Sequence, residues 1–288
     1  MKTLITLKFH FEGNPMTPPS QTKFTVPQLH DRKTAGQPIS MVTAYDSTFA
    51  QLAHLAGVDI LLVGDSVGMV MQGHKNTLSV TLEQMCYHTK MVSNARPSSL
   101  IVGDMPFGSY QTCHRDALAS AVQLVQHGAE VVKLEGGIHI ADTVAAIVEM
   151  DIPVMGHVGL TPQSYHRMGG NKVQGRTSGD QAGSRERVIE DALAIESAGA
   201  SAIVLEGIPL EVAKEITEQL SIPTIGIGAG PYCDGQVLVL HDVLGLSEKQ
   251  FTFSKAYSNL RDTTIDALRS YVQDVQNRQW PDEDHSFR

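Results

Sequence analysis

Short apolar runs alternate along this chain with longer stretches whose apolar residues recur at helical spacing. We predict eight strands, at about residues 40–45, 58–64, 99–103, 130–135, 152–156, 201–205, 222–227 and 236–240. Near-continuous apolar strands that alternate with amphipathic helices indicate a parallel sheet covered on both faces. Eight such units favour an α/β fold of the (β/α)8 TIM-barrel type. A doubly wound open sheet is the alternative, but the chain lacks a dinucleotide-binding fingerprint.

Helical periodicity and glycine stops indicate where the helices lie. One helix is predicted to begin at Asp46 or Ser47 and to end before Gly57. Its predicted buried face comprises Phe49, Leu52, Ala53 and Ala56. A second helix ends before Gly128, and the segment NLRDTTIDALRSYVQDV predicts an extra C-terminal helix outside the eight units.

The two ends of the chain differ in pattern. Residues 1–22 are polar, contain several prolines and lack periodicity, which predicts a loose N-terminal extension. Met16 is then an alternative start of translation. We expect residues 23–288 to form a single domain that includes the C-terminal helical segment.

The composition narrows the classes of function and location. A formal charge of −9 argues against a broad binding surface for nucleic acid or an anionic membrane. The N-terminus, interrupted by Lys8 and His10, does not resemble a signal peptide, and no apolar run approaches the length of a membrane span. Three scattered cysteines predict free thiols. Together these features predict a cytoplasmic protein. They do not exclude the binding of a small anionic ligand, which needs only one or two local cations.

Acidic residues follow the predicted strands with a regularity that indicates a site. The segments AGVDILLVGD, HGAEVVKLEG and AGASAIVLEG each run from a helix end through a glycine and an apolar strand to an acid. With LIVGDMPFG and PVMGHVGL added, the candidate residues are Asp65, Asp104, Glu135, His157 and Glu206. In a barrel these side chains gather at the C-terminal mouth, where active sites lie. Taken singly, either aspartate could cap a helix and His157 could be structural.

Four carboxylates in one mouth repel one another and require a cation. Oxygen ligands without a cysteine or histidine cluster favour Mg²⁺ and disfavour zinc. Lys133 lies two residues before Glu135, so both side chains point to the same face of a strand. A lysine among valines is costly without an anion. Its partner is predicted to be a bound substrate carboxylate or a neighbouring carboxylate, with an internal salt bridge to Glu135 as the main alternative.

Two further segments have open interpretations. Residues 158–186 are rich in glycine and polar residues and longer than a typical connection, which predicts either a lid over the site or a surface loop. GIGAGPYCDG, at residues 226–235, lacks the third glycine of a dinucleotide motif. Tight packing at a strand end is therefore favoured over a phosphate-binding loop.

A series of ordered motifs resembles one enzyme family. The motifs are TAYD, VGDSVGMVMQGH, YHT, GDMPFGSY, VKLEGG, GHVGLTPQS, KVQGR, VLEGIP, IGIGAG and HDVLG. The chain resembles the 3-methyl-2-oxobutanoate hydroxymethyltransferases, which form ketopantoate in pantothenate biosynthesis, over roughly residues 23–288. The resemblance implies a (β/α)8 fold, Mg²⁺, 5,10-methylenetetrahydrofolate as co-substrate, and a homo-oligomer that is generally a decamer.

The same resemblance implies roles for the residues at the mouth. The implied metal ligands are Asp65, Asp104 and Glu135. The implied ketoacid-binding residues are Asp65, Ser66, Asp104, Lys133 and His157. Glu206 corresponds to the general base that removes the C3 proton, which gives an enolate that attacks the methylene carbon of the folate. The chain departs from the family pattern at FTFSKAY (251–257), where a Pro-Lys pair more often precedes the phenylalanine.

The sequence leaves alternative functions open. One is another Mg²⁺-dependent enolate-forming lyase or mutase on the same barrel, of the phosphoenolpyruvate mutase–isocitrate lyase kind. Such enzymes commonly carry a KKCGH-like cysteine loop, which YQTCHRD around Cys113 does not match. A catalytically inactive binding protein is the second alternative. A phosphate-binding barrel is a third, and its only support is the segment GIGAG.

Overall fold

Eight parallel strands, paired in chain order, close into a barrel in the computed structural model, which describes residues 22–287. The strands are Ile39–Thr43 (β1), Ile60–Val63 (β2), Leu100–Asp104 (β3), Val131–Lys133 (β4), Val154–Gly159 (β5), Ala202–Glu206 (β6), Thr224–Ile227 (β7) and Gly235–Leu238 (β8). The predicted (β/α)8 barrel is confirmed. The predicted extension over residues 1–22, with the alternative start at Met16, lies outside the described residues except for Thr22.

Helices surround the barrel. They are Val26–Thr34 (α1), Ser47–Leu55 (α2), Val67–Val70 (α3), Leu82–Asn94 (α4), His114–Gln126 (α5), Ala141–Val148 (α6), Tyr165–Met168 (α7), Arg185–Ser197 (α8), Leu210–Gln219 (α9), Leu240–Val243 (α10) and Leu260–Gln276 (α11). The predicted extra C-terminal helix is α11. Over residues 22–287, no helix has the length and apolarity that crossing a bilayer requires.

The start of α2 agrees with the sequence pattern, but its buried face differs. The Asp46 carboxylate accepts a hydrogen bond from the Phe49 backbone N–H at 2.9 Å, which caps the helix. Ala50 and Ala53 are buried, whereas Leu52 is 53% exposed. Two overlapping sets of apolar residues have helical spacing in this segment. The set that contains the small alanines faces the sheet, because it allows the helix to pack closely.

Period-two alternation along the strands sorts the apolar residues into two cores. In β2, Ile60 and Leu62 belong to the cluster that fills the barrel, while Leu61 and Val63 belong to the cluster between the sheet and the helices. Because such strands are buried on both faces, they appear in the sequence as continuous apolar runs. Leu29 of α1 also packs into the interior cluster.

The same alternation carries charged side chains into the C-terminal end of the barrel. Two positions after the last inward-facing apolar residue of β3, β4, β5 and β6 stand Asp104, Lys133, His157 and Glu206. His157, predicted to follow its strand, lies inside β5 because the ladder to β6 continues as far as the pair Gly159–Glu206. A polar layer therefore covers the apolar interior where barrel active sites are found.

Candidate active site

The residues that the sequence singled out all line one cavity at the C-terminal mouth of the barrel. They are Asp65, Ser66, Asp104, Lys133, Glu135, His157 and Glu206. The cavity has a volume of about 1030 Å³, and most of its charged side chains lie at the barrel end. The loops that follow the strands line the remainder mainly with apolar side chains. The structure thus brings all the predicted site residues together.

Asp65 and Asp104 are buried side by side. The Asp65 backbone N–H donates to Oδ2 of Asp104 at 3.2 Å. Neither aspartate caps a helix, because Ser66 and Cys113 hold the N-cap positions of α3 and α5. Burial raises the pKa of Asp65 well above its usual range, and the carboxylates of Asp104 and Glu135 raise it further. Burial also raises the pKa of Asp104. A cation between these acids would relieve their repulsion.

Lys133 places a buried ammonium group next to these carboxylates. Its Nζ lies 2.8 Å from Oδ1 of Asp104, and both side chains are almost fully buried. The register explains the pairing, since Asp104 and Lys133 are opposite each other on β3 and β4. The ion pair therefore forms with Asp104 rather than with Glu135. Burial alone lowers the pKa of Lys133, but the neighbouring carboxylates outweigh this effect and raise it.

His157 lies between two glutamates. Its Nδ1 is 3.5 Å from Oε1 of Glu135, and its Nε2 is 3.2 Å from Oε2 of Glu206. Burial and the charge of Lys133 lower the pKa of His157, but the nearby carboxylates of both glutamates outweigh them and raise it to about 9. The raised pKa favours the protonated imidazole at neutral pH.

Two residues that sequence reasoning missed, Tyr110 and Gln163, hold the carboxylates in place. The Gln163 side chain donates through Nε2 to Oδ2 of Asp65 at 3.0 Å, and its backbone N–H donates to Oε2 of Glu135 at 2.9 Å. The Tyr110 hydroxyl donates to Oε1 of Gln163 at 2.7 Å, so the amide nitrogen faces Asp65. Their only signal in the sequence is their place in GDMPFGSY and GHVGLTPQS.

Ser66 presents its hydroxyl to the cavity without using it as a helix cap. The Tyr45 hydroxyl lies 2.9 Å from Oγ of Ser66. Burial raises the pKa of Tyr45 to about 12, so the phenol stays protonated and available for this hydrogen bond. Tyr45, which lies in TAYD, is a third positioning residue that sequence reasoning missed.

Two segments for which the sequence allowed more than one interpretation, residues 158–186 and 226–235, both border the cavity. Tyr165 and Val173, from residues 158–186, line it, as the lid interpretation requires. In the GIGAG segment, Gly228 has φ +61°, and a Cβ there would lie 3.2 Å from the Phe253 ring. The predicted tight packing at this strand end is thereby confirmed.

The carboxylates at the mouth supply some, but not all, of the ligands that a hard cation needs. Over residues 22–287, no three carboxylate, imidazole or thiolate groups converge into a ready-made ion cage. Magnesium, however, commonly takes one or two protein carboxylates and completes its shell with water and substrate oxygens. The adjacent Asp65 and Asp104 fit that requirement. Both oxygens of Glu135 already face donors, Oε1 towards His157 and Oε2 towards the Gln163 N–H.

Comparison with known proteins identifies the family. A sequence model described as ketopantoate hydroxymethyltransferase matches residues 23–283. The 3-methyl-2-oxobutanoate hydroxymethyltransferase of Geobacter metallireducens is 55% identical over 267 residues, which are 92% of this chain and 98% of that protein. The protein of the same name from Geobacter sulfurreducens is 56% identical over 265 residues, with coverages of 91% and 98%.

Solved structures with the same fold are more distant in sequence. A phosphonopyruvate hydrolase in complex with oxalate and Mg²⁺ has a TM-score of 0.58 at 13% identity, and the match covers 88% of each chain. A 2,3-dimethylmalate lyase of the PEP mutase/isocitrate lyase superfamily has a TM-score of 0.57 at 17% identity, with coverages of 94% and 93%. At these identities the likeness shows the fold alone. The family match and the relatives above 50% identity show that this chain belongs to the ketopantoate hydroxymethyltransferase family and is an enzyme of the transferase class.

Proposed function

We propose that residues 23–288 act as one catalytic domain that transfers a hydroxymethyl group from 5,10-methylenetetrahydrofolate to 3-methyl-2-oxobutanoate, giving 2-dehydropantoate. One observation carries this proposal: a buried ammonium, an imidazole and four carboxylates share the floor of a single large cavity. Such a floor can bind an anionic ketoacid and remove a proton from it. The names of the relatives support the same reaction.

Three side chains are proposed to bind the oxygens of the ketoacid. Lys133 and the protonated His157 offer buried positive charge, which attracts a carboxylate strongly where water is excluded. Ser66, fixed by Tyr45, offers a hydroxyl. Asp65 and Asp104 complete the binding set through the metal described below.

Glu206 is the proposed general base. Its side chain is 20% exposed, compared with 2% for Glu135 and 3% for Asp104, so it is the carboxylate most open to the cavity. Glu206 takes the C3 proton of the ketoacid, and the electron pair left on C3 forms the bond to the methylene carbon. Two bonds join that carbon to N5 and N10 of the folate. One is replaced by the new bond to C3 and the other by a bond to the oxygen of a water molecule, and both nitrogens take up a proton, which gives tetrahydrofolate and the hydroxymethyl product.

Asp65 and Asp104, with Glu135 as the third member of the acidic set, are the proposed residues that hold Mg²⁺. When bound, Mg²⁺ draws charge from the ketoacid carbonyl and stabilises negative charge that develops next to it. The protein contributes the positions of the carboxylates, which Gln163 fixes through hydrogen bonds to Asp65 and Glu135. Because these partners lie on separate loops, the fold itself determines the spacing of the ligands.

Hydrogen exchange at C3 tests the proposed function. With Mg²⁺ but without folate, the enzyme is expected to exchange the C3 hydrogen of 3-methyl-2-oxobutanoate for deuterium, because proton removal precedes transfer. The rate is measured by proton NMR in deuterium oxide. An enzyme that forms product from added folate yet shows no exchange would exclude the free enolisation step, and an enzyme that does neither would refute the function.

Removal of the Gln163 amide is expected to weaken metal binding. Gln163→Met keeps the volume of the side chain but leaves Asp65 without its amide donor, so the affinity for Mn²⁺ should fall about 10–100-fold. Free Mn²⁺ is measured by electron paramagnetic resonance. Gln123→Met, the same change on the exposed face of α5, serves as the control. Unchanged Mn²⁺ affinity in the folded Gln163 variant would contradict the proposed ligand set.

A lyase or mutase of the phosphoenolpyruvate mutase–isocitrate lyase kind is the second candidate, and the shared fold favours it. Cys113, which would correspond to the catalytic cysteine loop of such enzymes, is exposed at the start of α5 and does not line the cavity. A lyase or mutase acts without folate. Product formation that depends on 5,10-methylenetetrahydrofolate therefore distinguishes the two candidates.

The proposal includes a cytoplasmic homo-oligomer, a decamer by family resemblance. Helix α11 supports association between copies, because none of its residues is buried. Leu268, Tyr271, Val272 and Val275 on this helix are between 44% and 59% exposed. A contiguous exposed apolar face is typical of a surface that another chain covers.

A further inference from the structure

The cavity is much larger than the ketoacid requires. A volume of about 1030 Å³ is typical of sites that enclose a ligand of drug size, whereas 3-methyl-2-oxobutanoate is a short branched acid. The charged floor accounts for the ketoacid. Above it, the loops after β5 and β6 contribute Leu160, Tyr165, Val173, Ile208 and Leu210. In the proposed function the ketoacid occupies the charged floor, which leaves this apolar upper compartment for a second ligand.

A pair of aromatic rings stands at the edge of that compartment. Phe251 and Phe253 lie with ring centroids 5.3 Å apart and planes inclined by only 5°. Both rings line the cavity, and they remain 53% and 46% exposed. Two phenyl rings held parallel and half open to water offer an apolar surface on which a planar ring system can pack.

The surrounding backbone fixes the position of the pair. The Ser254 backbone N–H donates to the Phe251 carbonyl at 3.0 Å, and Oγ of Ser254 accepts from the Phe251 N–H at 3.1 Å. Gly228, in the loop after β7, leaves room for the Phe253 ring, which a side chain at that position would crowd. These contacts order the turn that carries both rings and place Phe253 against the loop after β7.

Two lysines add positive charge to the wall of the cavity. Lys75 and Lys249 are both exposed and both line it. The adjacent acid Glu248 instead pairs with Arg261 at 2.8 Å, which compensates its charge. These two exposed ammonium groups suit a ligand that carries carboxylates.

We propose that the upper compartment is the folate subsite, in which the pterin ring packs against Phe251 and Phe253 and the glutamate tail faces Lys75 and Lys249. This inference rests on the proposed function, because it assigns the second substrate of that reaction to a named part of the cavity. The ring system then lies above the ketoacid floor, so the methylene carbon and C3 of the ketoacid share one enclosed volume.

Separate measurement of the two half-reactions tests the subsite. Phe251→Ala and Phe253→Ala should each raise the KM for 5,10-methylenetetrahydrofolate about five- to tenfold, through loss of ring packing. The folate-independent deuterium exchange and the KM for the ketoacid should keep their wild-type values. Tyr257→Ala removes an exposed aromatic ring from the same segment that does not line the cavity, and it should change neither quantity.

The tail contact has its own test. Lys75→Ala with Lys249→Ala should raise the KM for the folate about two- to fivefold, and the effect should shrink as salt is added. Inhibition by tetrahydropterin, which lacks the glutamate tail, should be unaffected by the two lysine substitutions and weakened by the phenylalanine substitutions.

The possible outcomes separate this inference from the proposed function. Absence of both exchange and folate-dependent product formation in the unsubstituted enzyme refutes the function itself. Normal exchange with an unchanged folate KM in both phenylalanine variants refutes the subsite and leaves the proposed function intact. Loss of exchange in a folded phenylalanine variant places the rings in the ketoacid site, which also contradicts a separate folate subsite.

Discussion

Glu206→Gln is expected to slow deuterium exchange at C3 of the ketoacid by about 10²–10⁴-fold, the usual contribution of a well-placed general base. Glutamine retains the shape of the side chain and an oxygen that can accept from Nε2 of His157, which lies 3.2 Å from the carboxylate in the enzyme. It cannot take a proton. Exchange is measured by proton NMR and ketoacid binding by calorimetry, and binding should be nearly unchanged.

A matched substitution controls for the loss of one negative charge. Glu211, five residues further along on α9, is exposed and does not line the cavity, so Glu211→Gln should exchange at the wild-type rate. If Glu206→Gln exchanges normally, another group is the base. If it loses ketoacid binding together with exchange, the role of Glu206 is structural.

Lys133→Met is expected to have the largest effect on stability. The substitution leaves the buried Asp104 without its ion-pair partner at 2.8 Å and leaves Asp65 and Glu135 without the same neighbouring charge. Removal of one member of a buried pair typically lowers the free energy of unfolding by about 3–5 kcal/mol. The free energy is measured by urea denaturation without metal. Mg²⁺ should restore part of the loss, because a cation again balances the carboxylates.

Lys33→Met provides the comparison. Lys33 pairs with Asp234 at the same distance, 2.8 Å, but both side chains are more exposed, at 14% and 16%, and neither lines the cavity. This variant should lose less stability, and Mg²⁺ should stabilise it no more than it stabilises the wild type. An equal response of the two variants to Mg²⁺ would contradict a cation site next to Lys133.

The barrel was predictable because its strands are buried on both faces. Ile60 and Leu62 face the barrel interior, and Leu61 and Val63 face the helices, so the segment has no polar interruption. Strand ends were less predictable. The ladder between β5 and β6 depends on residues about fifty positions apart, and it carries His157 into a strand that the apolar run alone would end earlier.

The site residues at the ends of strands could be predicted from the sequence. The site residues in loops, which act through contacts with distant parts of the chain, could not. Asp104 and Glu206 are the last residues of apolar strands, so the end of each apolar run indicates their position. Gln163 contacts Asp65 across 98 positions of sequence, and Tyr110 contacts Gln163 across 53. No local pattern encodes such contacts. For the same reason, the register of β3 and β4, rather than spacing along β4, decides the ion-pair partner of Lys133.

Anomalous diffraction from crystals grown with Mn²⁺ and 3-methyl-2-oxobutanoate tests the central claim most directly. The account predicts one strong manganese peak at the C-terminal mouth, within bonding distance of carboxylate oxygens from Asp65 and Asp104 and of an oxygen of the ketoacid. Glu135 should lie at bonding distance or one water away. A ketoacid bound at this floor without manganese beside it, or manganese bound away from both aspartates, would contradict the account.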